Sequence, residues 1–265
     1  MERPAWAEGV DIDRPSASRV YDYLLGGSHN FAVDRAVAEQ ALSHMPQVAT
    51  IARENRAFLR RAVRFLVAQG MRQFLDIGSG ITTVGTVHEV AQADAPDTRV
   101  CYVDVDPIAV AHSQAILADN PQALIIDGDL REPGEILANP ELRGLLDLSR
   151  PVGVLLVAVL HFIADADRPA DLVRQVTAPL ASGSYVVVTH ASWPTGDIPD
   201  DVAAAQSSYR RTGTPLVLRS RDEILGMLGD LEVVEPGIVP LAAWRPEGGE
   251  STETLPGLAV VARKR

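Results

Sequence analysis

FLDIGSGITT, residues 74–83, contains the features that decide the fold. Two apolar residues lead to an acid, Asp76, and two glycines follow at alternate positions, Gly78 and Gly80. A strand that ends in a glycine turn before a helix is typical of sheets that bind nucleotide-like ligands at their strand ends. The dinucleotide pattern G-x-G-x-x-G would need a third glycine where this chain has Thr83. The loop alone is equally compatible with a tight strand–helix turn that binds nothing.

Strand and helix patterns alternate after residue 71, which predicts the rest of the fold. The predicted strands are RQFLDIG, TRVCYVDVD, ALIIDGD, PVGVLLVAVL and SYVVVTHA, followed by LEVVEPGIVPL and GLAVVARK. Alternating strands and helices favour a doubly wound, mostly parallel sheet. The last two strands have no helical pattern between them, which favours an antiparallel hairpin. We therefore expect an α/β fold with a seven-stranded sheet of the Rossmann-like type.

The helices between these strands carry recognisable start and stop signals. Thr82 or Thr83 can cap a helix that runs to about Ala93, and Pro107 fits the first turn of the next helix. A later helix over residues 168–183 should end at Gly183. Ser220 and Glu223 have the spacing of a capping box. These signals support one α/β core over residues 71–265.

Residues 1–70 form a separate, helical part of the pattern. Residues 1–17 are rich in proline and charge, and SRVYDYLLGG predicts a short helix with Ser18 as N-cap and Gly26 and Gly27 as the stop. Residues 34–69 predict helix with an interruption at Pro46. We predict that residues 1–70 are an arm and helical cap or lid on the core.

Composition narrows the classes of partner. The formal net charge of −11 disfavours a broad nucleic-acid surface. The one cysteine, Cys101, excludes an intramolecular disulfide, and the N-terminus lacks the layout of a signal peptide. The longest apolar run, residues 152–164, is too short to span a bilayer. We expect a cytoplasmic protein with no membrane partner, predict no metal site, and leave the oligomeric state open.

Acids at the ends of three consecutive predicted strands indicate the cofactor. They are Asp76, then Asp104 with Asp106, then Asp127 with Asp129. A pyrophosphate would be repelled by these carboxylates, whereas the sulfonium and ammonium of S-adenosylmethionine would be attracted. Asp104 lies one loop–helix–strand unit after Asp76, where a carboxylate can accept both ribose hydroxyls, and Asp129 is placed for the adenine amine.

Several motifs resemble a known superfamily. LDIGSG, YVDVD and DGDLRE are similar to the successive cofactor motifs of class I S-adenosylmethionine-dependent methyltransferases. RVYDYLLGGSHNFAVDRAVAEQ, RENRAFLRRAVRFL and VVEPGIVPLAAWRP resemble an actinobacterial branch of that superfamily catalogued mainly as a domain of unknown function. The resemblance covers nearly the whole chain, although Thr82 stands where the superfamily loop often has a third glycine. The resemblance strongly implies the fold and S-adenosylmethionine as the cofactor, but it gives almost no information on the methyl acceptor.

The resemblance implies a role for each matching residue. Asp76 would orient the loop and the methionine ammonium, and Asp104 with Asp106 would bind the ribose. Asp106 is equally suited to cap the helix that begins at Pro107. The remaining cofactor residues would be those of the glycine loop, those beside adenine and those at the methyl end: Gly78, Ser79, Gly80, Asp129, Leu130 and Val157 to His161.

The acceptor side is less defined by the sequence. His161 is our candidate catalytic residue, with a buried structural histidine as the alternative reading, and His190 is a second candidate for the pocket. We hypothesise that residues 19–34 close over the cofactor mouth, and that their contributions to the acceptor pocket are Tyr21, Gly26, Gly27, His29 and Asn30. The basic stretch Arg53–Arg64 is better explained as a solvated helix face than as an RNA surface.

Three functions remain open at this stage. VLHFIAD follows the fourth strand, in place of the NPPY-like signature of enzymes that methylate amide or adenine nitrogens. This favours a methyltransferase acting on a small molecule. The alternatives are a module that binds S-adenosylmethionine for regulation without turnover, and a macromolecule methyltransferase.

Overall fold

One twisted sheet organises the chain in the computed structural model, which describes residues 12–81, 85–193, 197–248 and 255–265. Its strands are β1 (Gln73–Ile77), β2 (Arg99–Asp104), β3 (Ala123–Asp127), β4 (Gly153–Val157), β5 (Tyr185–His190), β6 (Glu232–Val233), β7 (Val239–Pro240) and β8 (Leu258–Arg263). Their order is β3-β2-β1-β4-β5-β8-β6, and β7 also pairs with β8. Strands β1 to β5 are parallel, whereas β8 is antiparallel to its neighbours. The predicted mostly parallel sheet with antiparallel C-terminal strands is confirmed.

The sheet has eight strands where the pattern predicts seven, because one predicted strand is divided. The stretch LEVVEPGIVPL forms the two short strands β6 and β7, which both pair with β8. Between them Pro236 lacks the N–H that a ladder needs, and Gly237 adopts a φ of +90°. The Gly237 N–H closes a turn on the Val234 carbonyl at 2.9 Å. The turn interrupts the ladder without changing the position of the strand in the sheet.

Ten helices are present in the described part of the chain. They are α1 (Ala17–Leu24), α2 (Ala32–His44), α3 (Val48–Ala68), α4 (Val87–Asp94), α5 (Pro107–Leu117), α6 (Pro133–Ala138), α7 (Pro140–Leu145), α8 (Pro169–Thr177), α9 (Asp200–Ser208) and α10 (Arg221–Leu228). The interruption at Pro46 falls between α2 and α3, as predicted. The capping box of Ser220 and Glu223 begins α10, as predicted.

Some predicted helix boundaries are wrong. Ser18 lies inside α1, whose N-cap position is Ser16. Helix α8 ends at Thr177, before Pro179, rather than at Gly183. Thr82 and Thr83 lie outside the described residues, and the capping box of α4 is formed by Thr86 with Glu89.

The helices cover both faces of the sheet and bury three apolar clusters. The first cluster joins the sheet to α6, α7, α8 and α10, and the second joins it to α3, α4 and α5. Leu66 of α3 packs in this second cluster with Phe74 of β1. The third cluster joins α1, α2 and α3 to Tyr209. Because α3 packs directly on the sheet, the cap that stands over the strand ends consists of α1, α2 and α9, and the predicted division at residue 70 stays a prediction.

None of the helices within the described ranges has the length and apolar character needed to cross a membrane.

Candidate functional site

A cavity of about 260 Å³ opens at the carboxyl ends of the parallel strands. Its walls come from the strand ends, from α1 and α3, and from α9 and the segment that follows it. The structure brings together thirteen residues predicted for the site in this cavity: Tyr21, Asp76, Gly78, Ser79, Gly80, Asp104, Asp129, Leu130, Val157, Ala158, Val159, His161 and His190. The cavity therefore lies at the edge of the sheet that the strand-end acids predict for the site.

The glycine loop after β1 is held against the end of β2. The N–H groups of Gly78 and Ser79 donate to the Val103 carbonyl at 2.8 and 3.1 Å. Gly78 has a φ of +75°, and a Cβ there would lie 2.5 Å from Cγ2 of Val159. Gly80 has a φ of +65°, and a Cβ there would meet no atom of the described residues within 4 Å. Gly78 is thus required by packing, whereas Gly80 faces open space that a ligand can fill.

Asp104 fixes the same loop from the end of β2. Its Oδ2 accepts the Gly80 N–H at 2.6 Å, and its Oδ1 accepts the Asp106 N–H at 2.9 Å. The Ser18 hydroxyl of α1 reaches Oδ1 at 3.4 Å. Burial raises the pKa of Asp104 to about 6, against the lowering effect of these hydrogen bonds. Oδ1 thus uses both of its lone pairs, whereas Oδ2 retains one for a ligand donor.

Asp76 is the least satisfied acid in the cavity. Its side chain is only 6% exposed, and it makes no hydrogen bond or ion pair within the described part of the chain. Burial raises its pKa to about 7, although the positive charge of Arg56 opposes the rise. A buried carboxylate without a partner is costly, so its position suits a ligand that brings a cation or a hydrogen-bond donor.

Arg56 of α3 is a cavity residue that sequence analysis did not identify. Its guanidinium lies 5.8 Å from the ring centroid of Tyr21, and its Nε is buried with no hydrogen-bond partner in the described part of the chain. The helical period contains a signal that could have found it. Ala52, Asn55, Arg56 and Leu59 have the spacing of one helix face, and all four line the cavity.

The basic stretch Arg53–Arg64 is therefore not a single solvated face, and that interpretation is wrong for part of it. Arg61 is buried and donates to the carbonyls of Trp244 and Leu241 at 2.9 and 2.7 Å. Arg64 pairs with Glu247 at the surface, and Arg53 is exposed. Arg61 therefore belongs to the core, whereas Arg53 and Arg64 are exposed.

A chain of hydrogen bonds joins the strand ends to α1. The Ala158 N–H, just after β4, donates to Oγ1 of Thr189 at 2.8 Å, and that hydroxyl donates to Oδ1 of Asn55 at 2.7 Å. The Asn55 amide donates to the Tyr21 hydroxyl at 2.8 Å, which donates to the Ala52 carbonyl at 3.1 Å. Ala158 adopts a φ of +57°, which is uncommon for a residue with a Cβ. The network fixes the Tyr21 side chain at the cavity wall.

His161 and His190 lie together after β4 and β5, and both are neutral. Nδ1 of His161 accepts the Ala191 N–H at 3.2 Å, so its proton is on Nε2. Nε2 of His190 accepts from Arg219 at 3.0 Å, and its Nδ1 donates to the Ala191 carbonyl at 2.7 Å. Burial lowers the pKa of His190 to about 4 and lowers that of His161 well below its usual value. His161 therefore offers the cavity an N–H donor, and both nitrogens of His190 are used by the protein.

The remaining predicted acids differ in their surroundings. Asp106 caps α5 through the Ile108 N–H at 2.9 Å and pairs with Arg19 at 3.2 Å, and it does not line the cavity. Asp129 lines the cavity and pairs with Arg131. Partial burial acts to raise the pKa of Asp129, but the hydrogen bonds from Arg131 outweigh it and lower the pKa.

The loop after α1 has a structural explanation that the sequence did not reveal. Oδ2 of Asp22 accepts from the His29 N–H at 2.8 Å and from the Asn30 amide at 2.9 Å. A Cβ on Gly27 would clash with the same carboxylate. Of the five residues predicted to contribute to the acceptor pocket, only Tyr21 lines the cavity, and those that do not are Gly26, Gly27, His29 and Asn30. Within the described ranges, no group of three or more His, Cys, Asp or Glu side chains is arranged to hold a metal ion.

Comparison with known proteins identifies a family that uses the cofactor predicted from the strand-end acids. Residues 4–265 match the profile of a family described as S-adenosyl methyltransferase. A candidate methyltransferase from Thermobifida fusca YX is 40% identical, covers 99% of this chain and 100% of its own, and has a TM-score of 0.90. A DUF574 family protein from Streptomyces avermitilis is 37% identical, covers 96% of this chain and 99% of its own, and also has a TM-score of 0.90.

More distant structures share the fold alone. Human N-acetylserotonin methyltransferase in complex with S-adenosylmethionine is 15% identical, covers 92% of this chain and 62% of its own, and has a TM-score of 0.50. No curated protein matches the chain significantly.

Proposed function

The chain belongs to the S-adenosyl methyltransferase family, and from this membership we propose that it is an enzyme that methylates a small molecule. Its cofactor is S-adenosylmethionine. The observation that carries the proposal is the pair of buried acids, Asp76 and Asp104, which face one cavity, with Asp76 lacking a protein partner in the described chain. Cationic groups and hydroxyl donors of a ligand would balance the negative charges of both acids, whereas a pyrophosphate would be repelled by them.

The order of the strands supports an assignment for the adenosine end. Strands β2 and β3 lie on one side of β1, so Asp104 would accept the ribose hydroxyls, and Asp129 and Leu130 would flank adenine. The backbone of Gly78, Ser79 and Gly80 would approach the cofactor through the open space beside Gly80. Asp106 has its carboxylate occupied by the α5 cap and Arg19, so we assign it to supporting that loop.

The methionine end would lie between β1 and β4. Asp76 would accept the ammonium group. The guanidinium of Arg56, whose Nε has no hydrogen-bond partner in the described part of the chain, would bind the carboxylate. Val157, at the end of β4, would pack beside the methionine chain. The two charged side chains match the two charges of an amino-acid group, which is the fit that a zwitterionic ligand requires.

Methyl transfer requires little acid–base catalysis from the protein. When bound, S-adenosylmethionine supplies an electrophilic methyl group and leaves as a neutral thioether. The protein would contribute alignment of the acceptor and exclusion of water, for which α1 and α9 stand over the strand ends. His161 would donate its Nε2–H to the acceptor and so orient it, because its other nitrogen is held by the Ala191 N–H. Neither ring nitrogen of His161 is then free to take the proton that an O–H or N–H acceptor releases, so that proton would pass to water.

The size and walls of the cavity support a small acceptor. It extends past the strand ends to α9, so space remains beside the methyl end, which favours turnover over a purely regulatory module. Arg61 is buried and Arg64 pairs with Glu247, so neither supports an RNA-binding surface beside the cavity.

Radiolabelled methyl transfer tests the proposal. The purified chain is incubated with methyl-labelled S-adenosylmethionine and separate fractions of small metabolites, protein and RNA from cells that express it. We expect label in the small-metabolite fraction. Label confined to protein or RNA would show a macromolecule methyltransferase, and cofactor binding without transfer to any fraction would show a regulatory module.

A further inference from the structure

The cavity continues from the strand ends into an apolar space beneath the cap, which we call the cap chamber. It is lined by Leu24 of α1, Ile51 of α3, Phe162, Val202 of α9, Tyr209 and Leu216. If the cofactor occupies the ends of β1 to β4 as proposed above, the cap chamber is the space left for the methyl acceptor. Its lining then defines the chemistry of that acceptor, and this inference rests on the proposed function.

Among the described residues, those that the cap contributes to the lining carry no charge. The charged side chains of the cavity wall come from the ends of β1, β2 and β3 and from Arg56 of α3. The lining residues of α1, of α9 and of residues 209–218 are all uncharged. His161 and His190, which close the strand side, are neutral because burial lowers the pKa of each. A charged acceptor would lose its hydration here without gaining a counter-ion, so the chamber favours an uncharged one.

Aromatic side chains form part of the chamber wall. Phe162 and Tyr209 line the chamber, and Tyr21 lines the same cavity nearby. The rings of Phe162 and Tyr209 lie 5.8 Å apart with an interplanar angle of 41°, and the His161 ring lies 4.5 Å from that of Phe162. Ring faces and edges in this arrangement pack best against another flat ring.

Tyr209 supplies a polar group that the protein itself does not use. The side chain is only 8% exposed, and its hydroxyl makes no hydrogen bond within the described part of the chain. Burial raises its pKa, so the hydroxyl stays protonated. Tyr21 differs, because its hydroxyl is bonded to Asn55 and Ala52. The Tyr209 hydroxyl is therefore available to hydrogen-bond a ligand in the cavity.

We infer that the methyl acceptor is an uncharged, flat aromatic molecule with an oxygen substituent, and that Tyr209 hydrogen-bonds this oxygen inside the cap chamber. The His161 Nε2–H is the second donor available to it. Together the two donors orient a ring that the apolar walls hold in place. Tyr209 is thus a specificity-determining residue.

Three naphthalene probes of one shape test the charge preference. The full chain is first saturated with S-adenosylhomocysteine, which fills the cofactor site without allowing methyl transfer. It is then titrated calorimetrically at pH 7 with 2-naphthol, 2-naphthoate and 2-naphthylmethylammonium. We expect 2-naphthol to bind at least tenfold more tightly than either ion. Equal or tighter binding of an ion, or no binding of 2-naphthol to the saturated protein, would overturn the inference.

Tyr209→Phe tests the hydroxyl. It removes one oxygen and should weaken 2-naphthol about threefold to tenfold. Tyr23→Phe is the matched control, because the Tyr23 hydroxyl bonds Glu39 at the surface and should not affect the probe. Equal affinity of the Tyr209→Phe variant and the unchanged chain for 2-naphthol would also overturn the inference. Failure of S-adenosylhomocysteine to bind in the first step would instead contradict the proposed function.

Discussion

Asp76 shows how a binding residue reduces stability. Its pKa is raised from 3.8 to about 7 by burial, so folding favours the protonated acid. The stability contributed by that protonated form is fully present below about pH 4 and is lost as the pH rises through 7. The free protein therefore carries a buried, unpaired charge at pH 8, which a cationic ligand would relieve.

Asp76→Asn should consequently stabilise the free protein while weakening the cofactor. At about 1.4 kcal/mol per pKa unit, we expect a gain on the order of 2–4 kcal/mol at pH 8 and almost none at pH 4. Urea unfolding at the two pH values measures this, with Asp127→Asn, at the exposed end of β3, as the control. A stability difference independent of pH would contradict the unpaired state of Asp76.

Asp104→Asn should weaken S-adenosylhomocysteine at least tenfold in a folded protein. A hydrogen bond to a charged acceptor contributes about 1.5–3 kcal/mol, and the ribose is proposed to make such bonds with this carboxylate. Calorimetry gives the affinity, and circular dichroism checks the fold because the same carboxylate holds the Gly80 N–H. Unchanged affinity would place the ribose elsewhere.

Arg56 can be tested by removing its proposed partner from the ligand. The unchanged chain should bind S-adenosylmethionine at least tenfold more tightly than decarboxylated S-adenosylmethionine, because a charge-assisted hydrogen bond is lost. Arg56→Gln should reduce this preference to near unity, whereas Arg53→Gln, on the exposed side of the same helix, should retain it. A full preference in Arg56→Gln would assign the carboxylate to another group.

At the scale of elements, α1 is tied to the sheet by buried charge. Arg19 is 3% exposed and pairs with Asp34 at 2.9 Å and with Asp106 at 3.2 Å. Arg19→Met leaves both acids buried and should cost about 3–5 kcal/mol in urea unfolding. Arg174→Met, which breaks an exposed pair with Asp171, should cost under about 1 kcal/mol. Similar small losses for both variants would show that α1 is only loosely held.

The sequence predicts long, periodic elements better than short ones. The parallel strands and the helices α2, α3 and α5 follow directly from apolar runs and helical spacing. Helices α6 and α7 have six residues each, too few to show a helical period. Ser18 looks like an N-cap by residue type, but its hydroxyl reaches Asp104 instead, a contact that only the tertiary fold creates.

At the scale of the whole molecule, the cofactor side of the site is more predictable than the acceptor side. Parallel strand ends meet at one edge, so the acids Asp76, Asp104 and Asp129 can be placed together from the chain alone. Arg56 and Tyr209 come from separate helical segments that the fold brings over this edge. No local spacing links them to the glycine loop. The sequence also misleads at residues 26–30. Polar groups of His29 and Asn30 resemble ligand contacts there, but they hydrogen-bond Asp22 instead.

Calorimetric titration of the full chain with S-adenosylhomocysteine, and separately with NAD, tests the central claim most directly. The arrangement of Asp76 and Asp104 predicts one S-adenosylhomocysteine site per chain, weakened at least tenfold by Asp104→Asn, and no measurable binding of NAD. Binding of NAD without S-adenosylhomocysteine, or of neither ligand to the folded protein, would contradict the account.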